Sequence, residues 1–285
     1  FAVFILTHGR ADRVHTFNSI LSHGYTGKIF LVIDDEDKTA DQYFERYGDK
    51  VLMFSKADIA SRFDEGDNFN DRRSIFYARN ACFDLAKKLG VRFFAELDDD
   101  YSGFYYRFDG SGMHGNWKLD PLDWLFSRLC DFLAETPFAS VAISQGGDHI
   151  GGGDGHKSIK AKRKAMNSFF CDTEKPFQFV GRINEDVNTY TAAQRAGLCF
   201  MTFLAAQLNQ KATQSNAGGM TELYLDSGTY VKTFYSVLYA PSCVKVGILK
   251  DPRGDGGHQR IHHRIDWNGV APQIIEERHK KSRRS

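Results

Sequence analysis

The chain has 285 residues, of which 42% are hydrophobic and 26% charged, and its formal net charge at pH 7 is +1. This composition is typical of a globular protein with a large core, and the near-neutral charge gives no general attraction to nucleic acid. The apolar runs are too short to span a membrane, so we expect no membrane partner, and the five scattered cysteines favour reduced thiols in a cytoplasmic protein.

The first hundred residues alternate between strands and helices. Apolar runs of strand length predict strands at residues 2–7, 28–33, 51–55 and 91–97. Apolar residues on one helical face predict helices at 13–21 and 71–89, and a glycine follows each of them. This β-α-β-β-α-β order predicts a three-layer α/β/α fold with a mostly parallel sheet, whose ligands bind beyond the carboxyl ends of the strands.

The second half of the chain is less regular. Helices are predicted at residues 121–133, with Asp120 as N-cap, and at 184–196 and 227–238. Short strands are predicted at 140–144, 168–171, 177–180 and 199–203, and the glycine-rich residues 146–155 predict a loop. The chain has no internal repeat and no clear linker, so we expect a single domain over residues 1–285.

Three consecutive aspartates, Asp98, Asp99 and Asp100, follow the apolar run of residues 91–97. Adjacent carboxylates repel one another, so their collection at a strand end is typical of a cation site. Asp98 and Asp100 are two residues apart and lie on the same side of an extended chain. A divalent ion held there can in turn hold a diphosphate.

Four segments combine into a recognisable pattern, although each alone has an ordinary explanation as a turn former or a solvated side chain. They are Thr7-His-Gly-Arg10, Asp34-Asp-Glu-Asp37, Ala78-Arg-Asn-Ala81 and Asp98-Asp-Asp100. In this order they resemble the nucleotide-sugar glycosyltransferases of the GT-A fold, a Rossmann-like α/β fold with a mixed sheet. The resemblance covers about the first hundred residues.

The resemblance implies a role for each of these positions. The residues implied in donor binding are Thr7, Arg10, Asp34, Arg79, Asp98 and Asp99. The first three would contact the nucleoside, Arg79 would serve the diphosphate or the D-x-D aspartates, and Asp98 would face the ribose or the sugar. Asp100, together with Asp98, would hold the metal.

The same chemistry follows from the ligands that a diphosphate needs. A hard cation such as Mn²⁺ or Mg²⁺ takes oxygen ligands and stabilises negative charge on a departing nucleoside diphosphate. Arginine adds a bidentate contact to phosphate oxygens. The resemblance implies that this diphosphate belongs to a nucleotide-sugar donor, with UDP-glucose or UDP-GlcNAc as the leading candidates.

Glu185 and Asp186 begin the helix predicted at residues 184–196. Their structural explanation is that carboxylates favour the positive end of a helix. In the resemblance, an acidic pair at this place acts on the acceptor hydroxyl, with Asp186 as the base and Glu185 as its neighbour. If the anomeric configuration is retained, no such base is needed and the pair positions the substrate.

The histidines of the segment His258-Gln-Arg-Ile-His-His-Arg264 suggest metal ligation, although histidines clustered on a loop are often only solvated. Many GT-A enzymes bring a C-terminal histidine to the metal, and His262 is our candidate. Neighbouring residues of an extended segment point in opposite directions, so only one of His262 and His263 should serve.

A basic cluster directly follows the glycine-rich loop. Its members are Lys157, Lys160, Lys162, Arg163 and Lys164. A solvated surface is one explanation, and a flexible arm that grips nucleic-acid phosphates is the other. An enzyme that modifies a base in duplex DNA also has to flip that base out of the stack.

A narrower resemblance covers nearly the whole chain. The segments Thr7-His-Gly-Arg10, Gly181-Arg-Ile-Asn-Glu-Asp-Val-Asn-Thr-Tyr190 and Arg260-Ile-His-His263 resemble the TET-associated glycosyltransferases of bacteriophages. This implies sugar transfer to 5-hydroxymethylcytosine, or a related hydroxymethylpyrimidine, in duplex phage DNA within the host cytoplasm. Residues 1–110 would then bind the nucleotide sugar, 111–250 the acceptor, and 251–285 would close over metal and phosphate.

Other functions fit parts of the pattern. A GT-A enzyme could act on a glycan, lipid or protein acceptor, and a GT-A-like module could bind donors without catalysis. A metal-dependent nuclease or phosphotransferase would explain the aspartates, but it makes no use of Arg79 or of the acidic helix start.

Overall fold

The computed structural model describes residues 1–108, 114–149, 168–210, 228, 230–250 and 259–271. The strands of the main sheet are β1 (Ala2–Leu6), β2 (Lys28–Asp34), β3 (Val51–Phe54), β4 (Phe93–Asp98), β5 (Tyr101–Phe108), β6 (His114–Lys118), β7 (Phe138–Ser144), β8 (Ser168–Asp172) and β9 (Cys199–Gln210). A separate two-stranded sheet consists of β10 (Val244–Lys250) and β11 (Gln259–Ile265). The helices are α1 (His15–Ser22), α2 (Ala40–Tyr47), α3 (Lys56–Arg62), α4 (Phe76–Lys88), α5 (Leu122–Glu135), α6 (Glu185–Arg195), α7 (Val231–Tyr239) and α8 (Trp267–Val270).

The main sheet has the strand order β3-β2-β1-β4-β8-β7-β9-β5-β6. The first four strands of this order are parallel to one another, β8 is antiparallel to both β4 and β7, and β9 is parallel to β7. β5 is antiparallel to its neighbours β9 and β6. Within the described residues, all strands of this sheet except β8 and β5 therefore run in one direction, as the sequence predicted.

Alternating side chains of the sheet face two cores. Val3 and Ile5 belong to a core cluster that includes residues of α1 and α5, whereas Phe4 and Leu6 belong to a second cluster with residues of α3, α4 and α6. Burying one such side chain contributes about 1.5–3 kcal/mol. The described residues thus form the predicted α/β fold, with helical layers on both sides of a mostly parallel sheet.

The sheet curls at the three aspartates Asp98, Asp99 and Asp100, which end β4 and form the turn to β5. This segment is called the acidic turn. β4 and β5 are separated by three strands in the sheet, yet only Asp99 and Asp100 lie between them in sequence. Three Cα steps reach about 11 Å at most, so the start of β5 must lie close to the end of β4. Because Tyr101 pairs with Gln210, the end of β9 is brought to the same turn.

The prediction of a strand at residues 177–180 was wrong. Phe177 and Phe179 are buried in the second core, but their segment pairs with no strand in the described part of the chain. The amide of Phe179 donates to Asn80 Oδ1 over 3.0 Å, and Asn80 Nδ2 donates back to the Phe179 carbonyl over 3.1 Å. Side chains on helices therefore satisfy this backbone in place of a strand.

Two predicted helix starts also differ from the structure. The helix predicted from residue 71 begins at Phe76, since Ser74 Oγ accepts from the Phe76 amide over 3.1 Å and Asp71 Oδ1 accepts from the Arg73 amide over 3.1 Å. Such local bonds compete with helix formation. Asp120 is not the N-cap of α5, because that position is occupied by Pro121 and no side chain caps the helix.

Several elements were not anticipated from the sequence. They are α2, α3, β5, β6, β10, β11, α8 and the extension of β9 beyond residue 203 to Gln210.

Within the described residues, none of the helices combines the length and the apolar character that a membrane crossing requires.

Candidate functional site

The acidic turn after β4 is held by α1. Thr16 Oγ1 donates to the Asp98 carbonyl over 2.5 Å and accepts from the Tyr101 amide over 2.9 Å. The Thr16 amide donates to the Asp99 carbonyl over 3.1 Å. One threonine therefore satisfies the backbone on both sides of the turn and fixes the directions of its carboxylates.

Asp99 points into the protein, toward the end of β1. Its Oδ2 accepts from Thr7 Oγ1 over 2.8 Å, and its Oδ1 accepts from Arg10 Nη1 over 3.0 Å. Tyr43 Oη lies 2.8 Å from both Thr7 Oγ1 and the Arg10 amide nitrogen. The structure thus brings Thr7, Arg10 and Asp99 together, with Asp99 in an internal network that ties β1 to the acidic turn.

Asp34, at the end of β2, forms the neighbouring cluster. His8 Nδ1 lies 2.7 Å from Asp34 Oδ2, and Lys56 Nζ lies 3.3 Å from Asp34 Oδ1. Asp37 Oδ2 accepts from the Gly9 amide over 2.7 Å. Burial alone would raise the pKa of Asp34, but His8 and Lys56 outweigh it and lower that pKa, so the carboxylate stays ionised.

Arg79 occupies the centre of a buried charge cluster. Its side chain is 1% exposed, with Nη2 at 3.1 Å from Asp98 Oδ1 and Nε at 3.1 Å from Glu185 Oε1. Nη1 lies 3.5 Å from Glu96 Oε2. Of the two roles considered for Arg79, this position favours that of a partner for the D-x-D aspartates.

Three carboxyl groups surround the one guanidinium of Arg79, and burial favours the neutral form of each. Burial raises the pKa of Glu96 to about 8, against the opposing effect of Arg79. Burial, together with the charge of Asp100, raises the pKa of Asp98 to about 8. Burial also raises the pKa of Glu185, with Asp186 as a further contribution. The cluster therefore favours additional positive charge.

Asp100 lies at the outer end of the acidic turn. Its Oδ2 accepts from Gln210 Nε2 over 3.2 Å, while Oδ1 is buried and has no hydrogen-bond partner in the described part of the chain. An unsatisfied buried carboxylate oxygen is costly, and a hard cation would satisfy it. The donor set fits Mn²⁺ or Mg²⁺, although no group of three His, Cys, Asp or Glu ligands forms among the described residues.

The two acidic residues at the start of α6 have different partners. Glu185 is bound to Arg79, whereas Asp186 Oδ1 accepts only from the Val187 amide, over 2.7 Å, among the contacts of the described residues. Asp186 is 8% exposed and has no ion pair within the described ranges. Arg79 therefore links the acidic turn to the helix that carries Asp186.

A comparison with protein families decides what kind of protein this is. Residues 1–219 match the model of the family described as TET-Associated Glycosyltransferase, which covers the acidic turn, Arg79 and the start of α6. The chain belongs to this family. It is therefore a glycosyltransferase, as the sequence predicted. No curated protein matches the sequence.

Solved structures with a similar fold are distant in sequence. Glucosyl-3-phosphoglycerate synthase from Mycobacterium tuberculosis, in complex with Mg²⁺ and UDP, is 9% identical with a TM-score of 0.46, over 91% of this chain and 85% of that one. TarS from S. aureus is 11% identical with a TM-score of 0.42, over 84% and 66% of the two chains. The galactosyltransferase LgtC, in complex with donor and acceptor sugar analogues, is 14% identical with a TM-score of 0.35, over 61% and 59%.

His262 of this TET-associated glycosyltransferase lies on β11, opposite Gly247 of β10 and beyond the residues that match the family. Its ring centroid is 4.2 Å from that of His263, at an interplanar angle of 30°. The two rings are thus in contact, although neighbouring residues of an extended segment were expected to point in opposite directions. No three-ligand group containing His262 forms among the described residues.

The predicted nucleic-acid contacts lie outside the described residues. They are Lys157, Lys160, Lys162, Arg163 and Lys164. The basic residues 278–284 also lie outside the described ranges, as does most of the loop predicted at 146–155.

Several residues that contact the candidate site residues were not anticipated from the sequence. They are His8, Thr16, Asp37, Tyr43, Lys56, Glu96 and Gln210. His8 and Asp37 lie inside segments that had been singled out, and Lys56 follows the end of β3 at the carboxyl edge of the sheet. The rule that ligands bind at this edge would have identified these three, whereas Tyr43 and Gln210 carry no local signal.

The His8–Asp34 pair is expected to make the stability of the glycosyltransferase depend on pH. The hydrogen bond to Asp34 raises the pKa of His8 above its ordinary value of 6.5, against the effect of burial. The stabilisation is fully present below that value and is lost as pH rises through the folded-state pKa. The difference in unfolding free energy between wild type and His8→Gln, measured in urea, should therefore be larger at about pH 6 than at about pH 9. A difference that is constant or grows with pH contradicts this.

Proposed function

We propose that the protein transfers a sugar from a UDP-sugar to the hydroxymethyl group of 5-hydroxymethylcytosine, or a related hydroxymethylpyrimidine, in duplex DNA with the help of a divalent cation. The observation that carries this proposal is the position of Arg79. Its guanidinium contacts Asp98 of the acidic turn and Glu185 of α6, each over 3.1 Å. Arg79 thereby links the proposed donor site at the acidic turn to the start of α6, which carries the proposed base.

The donor would be bound at the carboxyl ends of β1, β2 and β4. Asp34, with its contacts to His8 and Lys56, is proposed to receive the nucleoside together with Arg10, which follows β1 and contacts Asp99. Asp98 and Asp100 would hold Mn²⁺ or Mg²⁺. When bound, the ion would neutralise charge on the diphosphate leaving group.

Asp186 is proposed to accept the proton of the acceptor hydroxyl if the anomeric configuration is inverted. A base has to be ionised and has to face the acceptor, and Glu185 is already engaged by Arg79. Asp186 has no such partner among the described residues and lies in the first turn of α6.

Two sources support a DNA acceptor. The family is named for its association with TET proteins, and the basic cluster of residues 157–164 has the composition of a phosphate-binding arm. The same chemistry on a glycan, lipid or protein acceptor is the alternative, and a donor-binding module without catalysis is a second one.

The test is to incubate the protein with UDP-glucose or UDP-GlcNAc, Mn²⁺ and a duplex containing 5-hydroxymethylcytosine, and to weigh the released nucleosides by mass spectrometry. We expect a hexose or N-acetylhexosamine mass gain that chelation abolishes and that Asp100→Ala lowers more than about 100-fold. A matched duplex with 5-methylcytosine, which lacks the hydroxyl, should gain nothing.

The possible failures of this experiment have different meanings. Metal-dependent hydrolysis of the donor without any gain on DNA would indicate another acceptor. Donor binding without hydrolysis or transfer would indicate a binding module. Full transfer in the presence of a chelator would show that the reaction does not depend on a divalent cation.

A further inference from the structure

Gln210 is the side chain that holds the carboxylate of Asp100. It is the last residue of β9, and its backbone pairs with Tyr101, the residue directly after Asp100. From this position its Nε2 donates to Asp100 Oδ2 over 3.2 Å. Backbone pairing and side-chain bonding therefore both place Gln210 at the acidic turn.

A second amide lies behind the first. Gln145 Nε2 lies 3.3 Å from Gln210 Oε1, so a chain of two hydrogen bonds runs from Gln145 through Gln210 to Asp100. An ionised carboxylate only accepts hydrogen bonds, so Gln210 must turn its NH₂ toward Asp100 and its oxygen toward Gln145. The backbone N–H of Gln145 donates to Asp148 Oδ2 over 2.9 Å, which holds the main chain that carries this side chain. The Gln210 side chain thus has one favourable orientation.

This arrangement treats the two oxygens of Asp100 differently. Oδ2 is bound by an amide that the second amide polarises, whereas Oδ1 is buried and has no partner among the described residues. The hydrogen bond restrains the rotation of the carboxylate about the Cβ–Cγ bond of Asp100. Oδ1 is therefore held in one direction as an anionic oxygen for a ligand.

We propose that Gln210 is a positioning residue for the divalent cation, which it serves by orienting Asp100, with Gln145 as its support. This inference rests on the proposed function, because that function supplies the cation. Residues behind a ligand set its direction and basicity, and their loss typically weakens metal affinity by about 10–100-fold. Neither glutamine contacts the cation in this role.

The test is a titration of each protein with Mn²⁺ alone, with the free ion measured by electron paramagnetic resonance. Gln210→Ala and Gln210→Asn, which retains an amide but shortens its reach, should both bind Mn²⁺ about 10–100-fold more weakly than wild type. The matched control is Asn209→Ala, since Asn209 bonds to Gln207 and does not contact Asp100. Its Mn²⁺ affinity should equal that of wild type.

A purely structural role for Gln210 makes a different prediction. If the role is structural, substitution of Gln210 lowers stability and metal-free UDP binding as well as Mn²⁺ affinity. If the role is positioning, substitution lowers Mn²⁺ affinity alone. Mn²⁺ affinities of both Gln210 variants within about twofold of wild type would overturn the inference. A different result would be that the wild type binds no Mn²⁺, or binds Mn²⁺ equally well after Asp100→Ala. The metal dependence of the proposed function would then be wrong, and this inference would fail with it.

Discussion

Replacing Arg79 by methionine is expected to lower the free energy of unfolding by about 3–5 kcal/mol, the cost of removing one partner from a buried ion pair. The side chain is 1% exposed and contacts Asp98, Glu185 and Glu96. Methionine fills similar space beside Phe169 and Phe179 but leaves three largely buried carboxyl groups without the guanidinium that contacts them. Urea unfolding at neutral pH measures the loss.

Arg62 offers a matched control for this substitution. It also contacts two carboxylates, Asp58 and Asp84 at 2.9 and 2.8 Å, but its side chain is 41% exposed. Arg62→Met should cost less than about 1 kcal/mol, since water screens such pairs. An Arg79→Met variant as stable as Arg62→Met would show that the cluster does not depend on its guanidinium.

Changing Asp186 to asparagine is expected to lower transfer to the acceptor by about 10²–10⁴-fold, the usual contribution of a general base. The amide keeps the shape of the side chain and can still accept from the Val187 amide. Binding of UDP and of Mn²⁺ should therefore be unchanged. Steady-state transfer rates and two binding titrations measure these effects.

Glu185→Gln separates this role from that of its neighbour. Glu185 is bound to Arg79 over 3.1 Å, so its substitution should lower stability more than Asp186→Asn does. Transfer that is unchanged in Asp186→Asn would mean that Asp186 is not the base. That result would favour retention of configuration or another acceptor-side group.

The acidic turn was predictable because its chemistry is local. Apolar residues 91–97 predict a strand, and Asp98 to Asp100 at its end predict a cation site on the carboxyl edge of the sheet. The structure confirms the strand, as β4, and gives the three aspartates at its end different surroundings. Asp98 contacts Arg79, Asp99 contacts Thr7 and Arg10, and Asp100 contacts Gln210.

Those contacts were not predictable, because their partners are far away in the chain. Gln210 is 110 residues from Asp100, and Glu185 is 106 residues from Arg79. Propensity and periodicity describe neighbours within one or two turns of a helix. The failed strand at residues 177–180 has the same cause, since Asn80 satisfies its backbone from 99 residues away.

The parallel strands of the first half, the α/β class and the acidic residues at strand ends could be read from the chain, because each depends on residues close together in sequence. Folding assigned partners to these residues. It buried Arg79 among three carboxylates, turned Asp99 inward and placed an amide on Asp100. Charge and hydrogen bonding depend on distance in space, and that distance is set by how the sheet curls and how the helices pack on it.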